Sequence, residues 1–393
     1  MKKVLFLDQS GKLGGAELCL LDIAKSIRST CKVLLFSGGA FAEALEKEGI
    51  QVSVLQQDSI DFRKESGILD GIASSFQVVP LLLKVIRAVK DYDVIYANTP
   101  KALVIGALVN LVSRKTLIYH LHDIISESHF STVNRFAIST LAKLADRVIA
   151  NSYASKEAFI QASGAEDSDV SVVYNGFDIQ KYDCEDGDRS QIRQALDIDD
   201  RFVVGHFSRL SPWKGQDVLL DALAKCPDDV VVLFVGDALF GEDDYVQALQ
   251  QQVAREKLEH RVQFLGFRHD IPQLMSACDL IAHTSTAPEP FGRVIVEAML
   301  CNRPVIGAKA GGAMELIEHG KTGWLCPPND SEQLADCINY VRDRVENSKS
   351  VAKVAQEEAR RRFSLTSVNA QILELIAPRQ VQVKRDLSLE KLS

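Results

Sequence analysis

The chain has 393 residues, 46% hydrophobic and 25% charged, with a net charge of −8. That length exceeds one ordinary core, so two domains are expected, and the composition excludes disordered and fibrous classes. The acidic balance speaks against a nucleic-acid binder, whose footprint is basic. Charge is uneven, however: residues 1–150 hold eighteen Lys/Arg and fifteen Asp/Glu, a balance of +3, which leaves −11 on the remainder.

The eight cysteines run from Cys19 to Cys337 without a C-x-x-C pair. This argues against zinc and against a disulfide scaffold, and it fits a reducing cytoplasm. The start, Met-Lys-Lys-Val-Leu-Phe-Leu-Asp, is too short for a signal segment and reads as a buried first strand. The longest apolar run, Ala102 to Val112, falls well short of the roughly 20 residues that span a bilayer. A cytoplasmic protein is expected, with peripheral contact at the inner face of the membrane left open.

In chain order, the first half predicts strands at Lys3–Leu7, Lys32–Phe36, Gln51–Leu55, Val94–Ala97, Thr116–His120, Arg147–Asn151 and Ser171–Tyr174. The second half predicts them at Phe202–Phe207, Val230–Val235, Val262–Leu265, Leu280–His283 and Pro304–Gly307. Helical periodicity fills the gaps, as in Ala16–Ser29, Gln216–Lys225, Tyr245–Glu256 and Glu332–Asn347. This βαβα order predicts an α/β protein of two doubly wound, Rossmann-like domains facing a cleft. The expected domains are 1–180 and 181–364, with a helix at about 365–380 and a frayed tail at 381–393. The polar stretch Asn175–Asp200 reads as the linker. Ligands of such sheets bind beyond the carboxyl ends of the strands.

The most informative segment is Pro288-Glu-Pro-Phe-Gly-Arg-Val-Ile-Val-Glu297. Glu289 falls in a turn before a helix, and Glu297 falls just inside it. The helix N-terminus, with unpaired N–H groups and a partial positive charge, suits a phosphorylated ligand. Carboxylates beside such a terminus suit a nucleotide-sugar, which has hydroxyls at both ends and a diphosphate between. Arg209 and Lys214, in Ser208-Arg-Leu-Ser-Pro-Trp-Lys-Gly215, can converge on that diphosphate. Gly14 and Gly15 after the first strand let backbone approach a ligand, a reading favoured here over a plain tight turn between strand and helix. The spacing is neither G-x-G-x-x-G nor a Walker loop.

His120 and His122 end an interior strand on one face. They invite a zinc reading, but the sequence offers no third ligand nearby. His122 is the candidate sugar ligand. Asp91-Tyr-Asp93 could hold a metal on a diphosphate, yet it precedes its strand, at the end away from a cleft. No metal and no cofactor are expected. Gly266-Phe267-Arg268 closes another strand, and Gly311-Gly312 precedes a helix; each is weak alone.

Together these motifs resemble the family 4 glycosyltransferases, retaining enzymes of the GT-B fold. The resemblance implies that the Gly14-Gly15 backbone meets phosphate and His122 touches the donor hexose. It implies that Arg209 and Lys214 hold the diphosphate and that the Gly266, Phe267 and Arg268 backbone meets the base. Glu289, with the N–H groups of Phe291 and Gly292, would bind hexose hydroxyls, and Glu297 the ribose. It also implies a metal-independent reaction and a last helix that crosses back to the first domain. The expected partners are a UDP-sugar, with UDP-glucose the first choice, and a glycan or lipid-linked acceptor in polysaccharide or cell-envelope biosynthesis. The rival within the fold is a sucrose- or sugar-phosphate-synthase-like transferase with a small soluble acceptor. More distant are a nicotinamide oxidoreductase, which lacks its glycine fingerprint here, and a non-catalytic nucleotide-sugar binder.

Overall fold

The structure is a computed structural model that describes residues 2–56, 79–127, 129–184, 186–238 and 242–377. The expected tail at 381–393, and residues 378–380 of the expected last helix, lie outside the described residues.

Two parallel sheets organise the chain. The first comprises β1 (Val4–Asp8), β2 (Cys31–Ser37), β3 (Val52–Gln56), β4 (Val94–Ala97), β5 (Thr116–Leu121), β6 (Arg147–Ala150) and β7 (Val170–Val172). Their order is β3-β2-β1-β4-β5-β6-β7. The second comprises β8 (Phe202–Phe207), β9 (Val230–Val235), β10 (Val262–Phe264), β11 (Leu280–His283), β12 (Val305–Ala308) and β13 (Trp324–Cys326), ordered β10-β9-β8-β11-β12-β13. Helices cover both faces, so the strands are buried on both sides and read as continuous apolar runs. Val4, Leu5, Phe6 and Leu7 of β1 are all fully buried, each such side chain contributing about 1.5–3 kcal/mol.

The strand order reverses between β1 and β4 in the first sheet and between β8 and β11 in the second. At such switch points the loops splay apart and leave a crevice at the carboxyl ends. Asp8, Asn98 and His122 stand at the first crevice, and Arg209, Lys214 and His283 at the second.

Three features differ from the sequence reading. The Asn175–Asp200 segment is not simply a linker: it contains a helix, Asp186–Ala195. Its Arg193 is buried in the second domain, donating to the Ala277, Ile198 and Arg201 carbonyls. The strand β13 had no clear signal, because three residues between Gly323 and Pro327 are too few to show a period. The periodic run at Glu332–Asn347 is two helices, Ser331–Asp343 and Val345–Arg362, broken at Arg344.

After Phe363 the chain returns to the first domain. Helix Leu365–Ile376 packs against helix Gly15–Ser26, with Val368, Ile372 and Ile376 in the same core as Val4, Phe6 and Leu20. None of the eight cysteines forms a disulfide. Among the described residues, no helix is long and apolar enough to cross a membrane.

Candidate active site

Glu289 is the centre of the second wall. Pro290, Phe291 and Gly292 turn the chain into helix Arg293–Leu300, with Gly292 at φ 94° as its N-cap. Phe291 anchors the turn: it is buried and packs with Phe177, Tyr174 and Phe363. Gly311 and Gly312 explain their own pairing here. The Gly312 N–H donates to the Glu289 carbonyl at 2.7 Å. A Cβ on Gly311 would come within 2.4 Å of that same oxygen, and one on Gly312 within 2.6 Å of the Pro290 oxygen. These glycines therefore let the β12 loop lie flat under the turn.

The Glu289 carboxylate accepts from Lys214 Nζ at 2.7 Å and Ser285 Oγ at 3.0 Å, with His283 Nε2 at 3.4 Å. Burial pushes its pKa up, but the Lys214 ammonium and His283 outweigh it and hold the carboxyl well below the ordinary range. Lys214 itself sits 3.9 Å over the Trp213 ring. Its turn is braced by Thr284, whose hydroxyl donates to the Lys214 and Gly215 carbonyls. Gly215, at φ 69°, would place a Cβ within 2.1 Å of the Thr284 oxygen.

The sequence reading had Arg209 and Lys214 converging on one anion. In the structure each is held by its own carboxylate: Lys214 by Glu289, and Arg209 by Glu242 with Nε 3.7 Å from Oε2. Ser211 Oγ fixes Glu242 at 2.6 Å. A buried cation without a counter-charge is costly, so each acid holds its partner in place.

Arg293 received no role from sequence, and the structure makes it the joint between the walls. Its guanidinium lies 4.4 Å over the Phe177 ring, and Nε is 3.6 Å from Glu297 Oε1. Nε and Nη1 are buried without a hydrogen-bond partner. A Cβ on Gly15 would meet Arg293 Cδ at 3.2 Å, so the bare backbone at Gly15 gives this arginine room. Glu297 is pushed upward in pKa by burial, partly offset by Arg293 and by a hydrogen bond from Tyr182.

On the first wall, the Gly14 N–H already donates to Glu17 Oε2 at 3.0 Å, closing the first turn of helix Gly15–Ser26. His122 Nε2 lies 2.9 Å from Asn98 Oδ1. Asn98 Nδ2 donates to Asp8 Oδ2 at 2.7 Å and to the Ala16 carbonyl at 3.2 Å. Burial, with Glu17 adding to it, raises Asp8 to about 7 and Asp123 to about 6. Burial, with Arg293 nearby, lowers His122 to about 3. The carboxyls of this wall therefore titrate close to neutral pH, while His122 is uncharged there.

The fold also supplies what sequence did not, a third ligand-type group: Cys19 lies beside His120 and His122. At the far loop, Gly266 (φ 63°) leaves open space around its Cα, and its carbonyl accepts from Gly236. Phe267 is exposed, and Arg268 is paired with Asp270. Asp93 stands at the opposite, amino end of its strand, where it accepts from the Lys3 N–H.

The walls meet at Glu315 of the second domain. Its carboxylate accepts from the Tyr153 and Ala154 N–H groups at 2.9 and 2.7 Å, and from Tyr174 OH. It thereby caps a helix of the first domain.

A two-domain GT-B architecture with these motifs across its cleft defines a glycosyltransferase, and the comparisons with known proteins agree. Residues 13–181 match the profile described as Glycosyltransferase Family 4, and residues 188–360 the one described as Glycosyl transferases group 1. The chain belongs to the family 4 glycosyltransferases. It is similar to Anabaena Alr3699/HepE, solved in complex with UDP-glucose, at 54% identity and a TM-score of 0.88, covering 96% of this chain and 99% of that one. It is 35% identical over 205 residues to the D-inositol 3-phosphate glycosyltransferase of Mycobacterium sp. (strain KMS), covering 51% of this chain and 45% of the relative. The chain thus spans about half the length of the first curated relatives it matches. Sucrose-phosphate synthase from Thermosynechococcus elongatus, at 18% identity and a TM-score of 0.81, shares the fold.

Proposed function

We propose that the protein transfers glucose from UDP-glucose, with retention of anomeric configuration and without a metal, to a hydroxyl of a glycan or lipid-linked acceptor. The Lys214–Glu289 pair, 2.7 Å apart in the cleft, carries this reading. It sets a phosphate-binding cation beside a hydroxyl-binding carboxylate, the two chemistries that a sugar diphosphate presents. The 54% identical relative solved with UDP-glucose supports the choice of donor.

In this mechanism Glu289 accepts from hexose hydroxyls while Lys214 and Arg209 turn toward the diphosphate and stabilise the charge that grows as its bond breaks. His122 meets the hexose through Nδ1. The amide of Asn98 is oriented by its donation to Asp8, so its Oδ1 must accept, and His122 Nε2 carries the proton. Nδ1 is then a lone pair, buried and unpartnered, suited to accept from a sugar hydroxyl. The acceptor hydroxyl attacks from the side the leaving group occupies, passing its proton to a diphosphate oxygen. Glu297 takes the ribose. The position of Asp93, away from the cleft, supports a reaction that needs no metal.

A lipid-linked acceptor is favoured by one face of the first domain. Leu111, Val112, Val133 and Phe136 are each more than 60% exposed on the neighbouring helices Pro100–Ser113 and Thr132–Ala142. Arg114, Lys115, Arg135 and Lys143 flank them, a combination suited to peripheral contact with an anionic membrane. The decisive experiment offers UDP- and GDP-sugars and follows hydrolysis and transfer, with NMR of the product anomer. UDP-glucose should turn over fastest, with EDTA present, and give a retained product. A GDP-sugar preference or an inverted anomer would overturn the proposal. Sedimentation with anionic vesicles tests the acceptor face.

A further inference from the structure

Cys19 and His120 are buried side chains that the donor site does not use. Cys19, on helix Gly15–Ser26, is 4% exposed, and His120, in β5, is 1% exposed. The Cys19 sulfur and one ring nitrogen each of His120 and His122 lie within 4.8 Å of one another. The two imidazole rings are 3.9 Å apart between centroids.

The nitrogens that remain free can be assigned. His122 Nε2 is committed to Asn98, which leaves Nδ1. His120 Nδ1 is held by Tyr96 OH at 2.8 Å, which leaves Nε2. Both remaining nitrogens are buried and unpartnered. When His120 Nδ1–H donates to the Tyr96 oxygen, Nε2 offers a lone pair like that of His122 Nδ1. Two orphaned imidazole nitrogens, on rings beside a buried thiol, leave desolvation uncompensated. A sulfur and two imidazoles form a donor set that suits zinc. The far nitrogen of each ring is anchored, the arrangement that orients metal-bound histidines.

We propose that Cys19, His120 and His122 form a zinc-binding site in the cleft wall, and that zinc there inhibits the enzyme by withdrawing His122 from the donor. On binding, the Cys19 thiol gives its proton to solvent, and the metal takes one thiolate and two neutral imidazoles, with water in the fourth position. Bonds of about 2.3 Å to sulfur and about 2.0–2.1 Å to nitrogen set the ligand atoms roughly 3.3–3.6 Å apart. The ligand atoms, within 4.8 Å of one another, therefore need to close by no more than about 1.5 Å. Arg293 opposes the cation but favours the thiolate. The inhibition rests on His122 being a hexose ligand; the binding does not.

The test uses the full chain, stripped with EDTA and titrated with zinc chloride by calorimetry in two buffers of different ionisation heat. One equivalent should bind with about one proton released. Cys19→Ala should weaken binding at least tenfold while leaving metal-free turnover unchanged, and the near-isosteric Cys19→Ser should do the same if the alanine variant folds poorly. Cobalt(II) should give a thiolate charge-transfer band in the wild type that both variants lose. Equal zinc affinity in wild type and variants would overturn the site. Zinc should also inhibit UDP-glucose turnover, at least tenfold less potently in Cys19→Ala. Zinc bound through Cys19 with turnover unchanged would overturn the inhibition and leave the donor assignment to its own test.

Discussion

The two walls of the cleft treat charge in opposite ways. The first wall buries its titratable groups and shifts each toward its uncharged form: Asp8 rises to about 7, Asp123 to about 6, and His122 falls to about 3. The second wall keeps its charges and pairs them, Lys214 with Glu289, Arg209 with Glu242, and Arg293 with Glu297. A hydrogen-bonding wall without paired ions is matched to hydroxyls. A wall of paired ions is matched to a diphosphate, because an arriving anion can exchange partners with acids that have kept the cations in place. Desolvation is thus spent differently on the two sides, and the reaction centre lies between them.

The strongest way to break the comparison is on the ionic side. Lys214→Ala should lower kcat/KM for UDP-glucose by about 10²-fold or more, since a charged donor to a developing anion is lost. Turnover like the wild type would mean that Lys214 serves Glu289 alone. Glu297→Gln should weaken UDP binding by roughly 1–3 kcal/mol in calorimetry, and an unchanged affinity would remove it from the ribose.

The first wall is sharpened by pH. The folded-state value of Asp8 lies above its ordinary 3.8. Its bound proton therefore favours the fold fully below about pH 4, and that contribution is lost as pH rises through about 7. The Tm of wild type relative to Asp8→Asn should fall by about 4 °C between pH 5 and pH 8. A flat difference would show Asp8 ionised throughout. The smallest effect is expected where the walls join. Glu315→Gln weakens a charged cap, and should lower Tm by about 2 °C; an unchanged melting curve would show that the contact contributes nothing.

Much of this was legible in the sequence, for reasons that differ by element. Parallel strands buried on both faces must be apolar throughout, so β1, β8 and β9 announce themselves. β13 and the break at Arg344 depend on a few residues and on packing, which leave no periodic trace. The Glu289 turn and the Lys214 loop are local in the chain, and their chemistry could be read from neighbouring residues. Asn98 behind His122 and Glu242 behind Arg209 are joined by the fold across tens of residues, while His283 and Ser285, only six and four residues before Glu289, are turned onto it by the loop after β11. Their one signal was position, since Asn98 and His283 stand at or just past the carboxyl ends of switch-point strands. Arg293 lay in full view beside Gly292 and passed as an ordinary first helical residue. Cys19 could not be linked to His120 and His122 until a helix and a strand a hundred residues apart were laid together.

The helix Leu365–Ile376 has a practical consequence for dividing this protein. Asn369 donates to the Asp22 carbonyl, Arg147 reaches the Leu375 carbonyl, and Val368, Ile372 and Ile376 complete the core beneath helix Gly15–Ser26. A piece ending at residue 180 would expose that apolar groove and aggregate. A piece beginning there would carry an unpartnered greasy helix at its far end. The halves of this enzyme are separable in space but not by a single cut, and a split version must hand the last helix back to the first fragment, joined to it or supplied as a peptide.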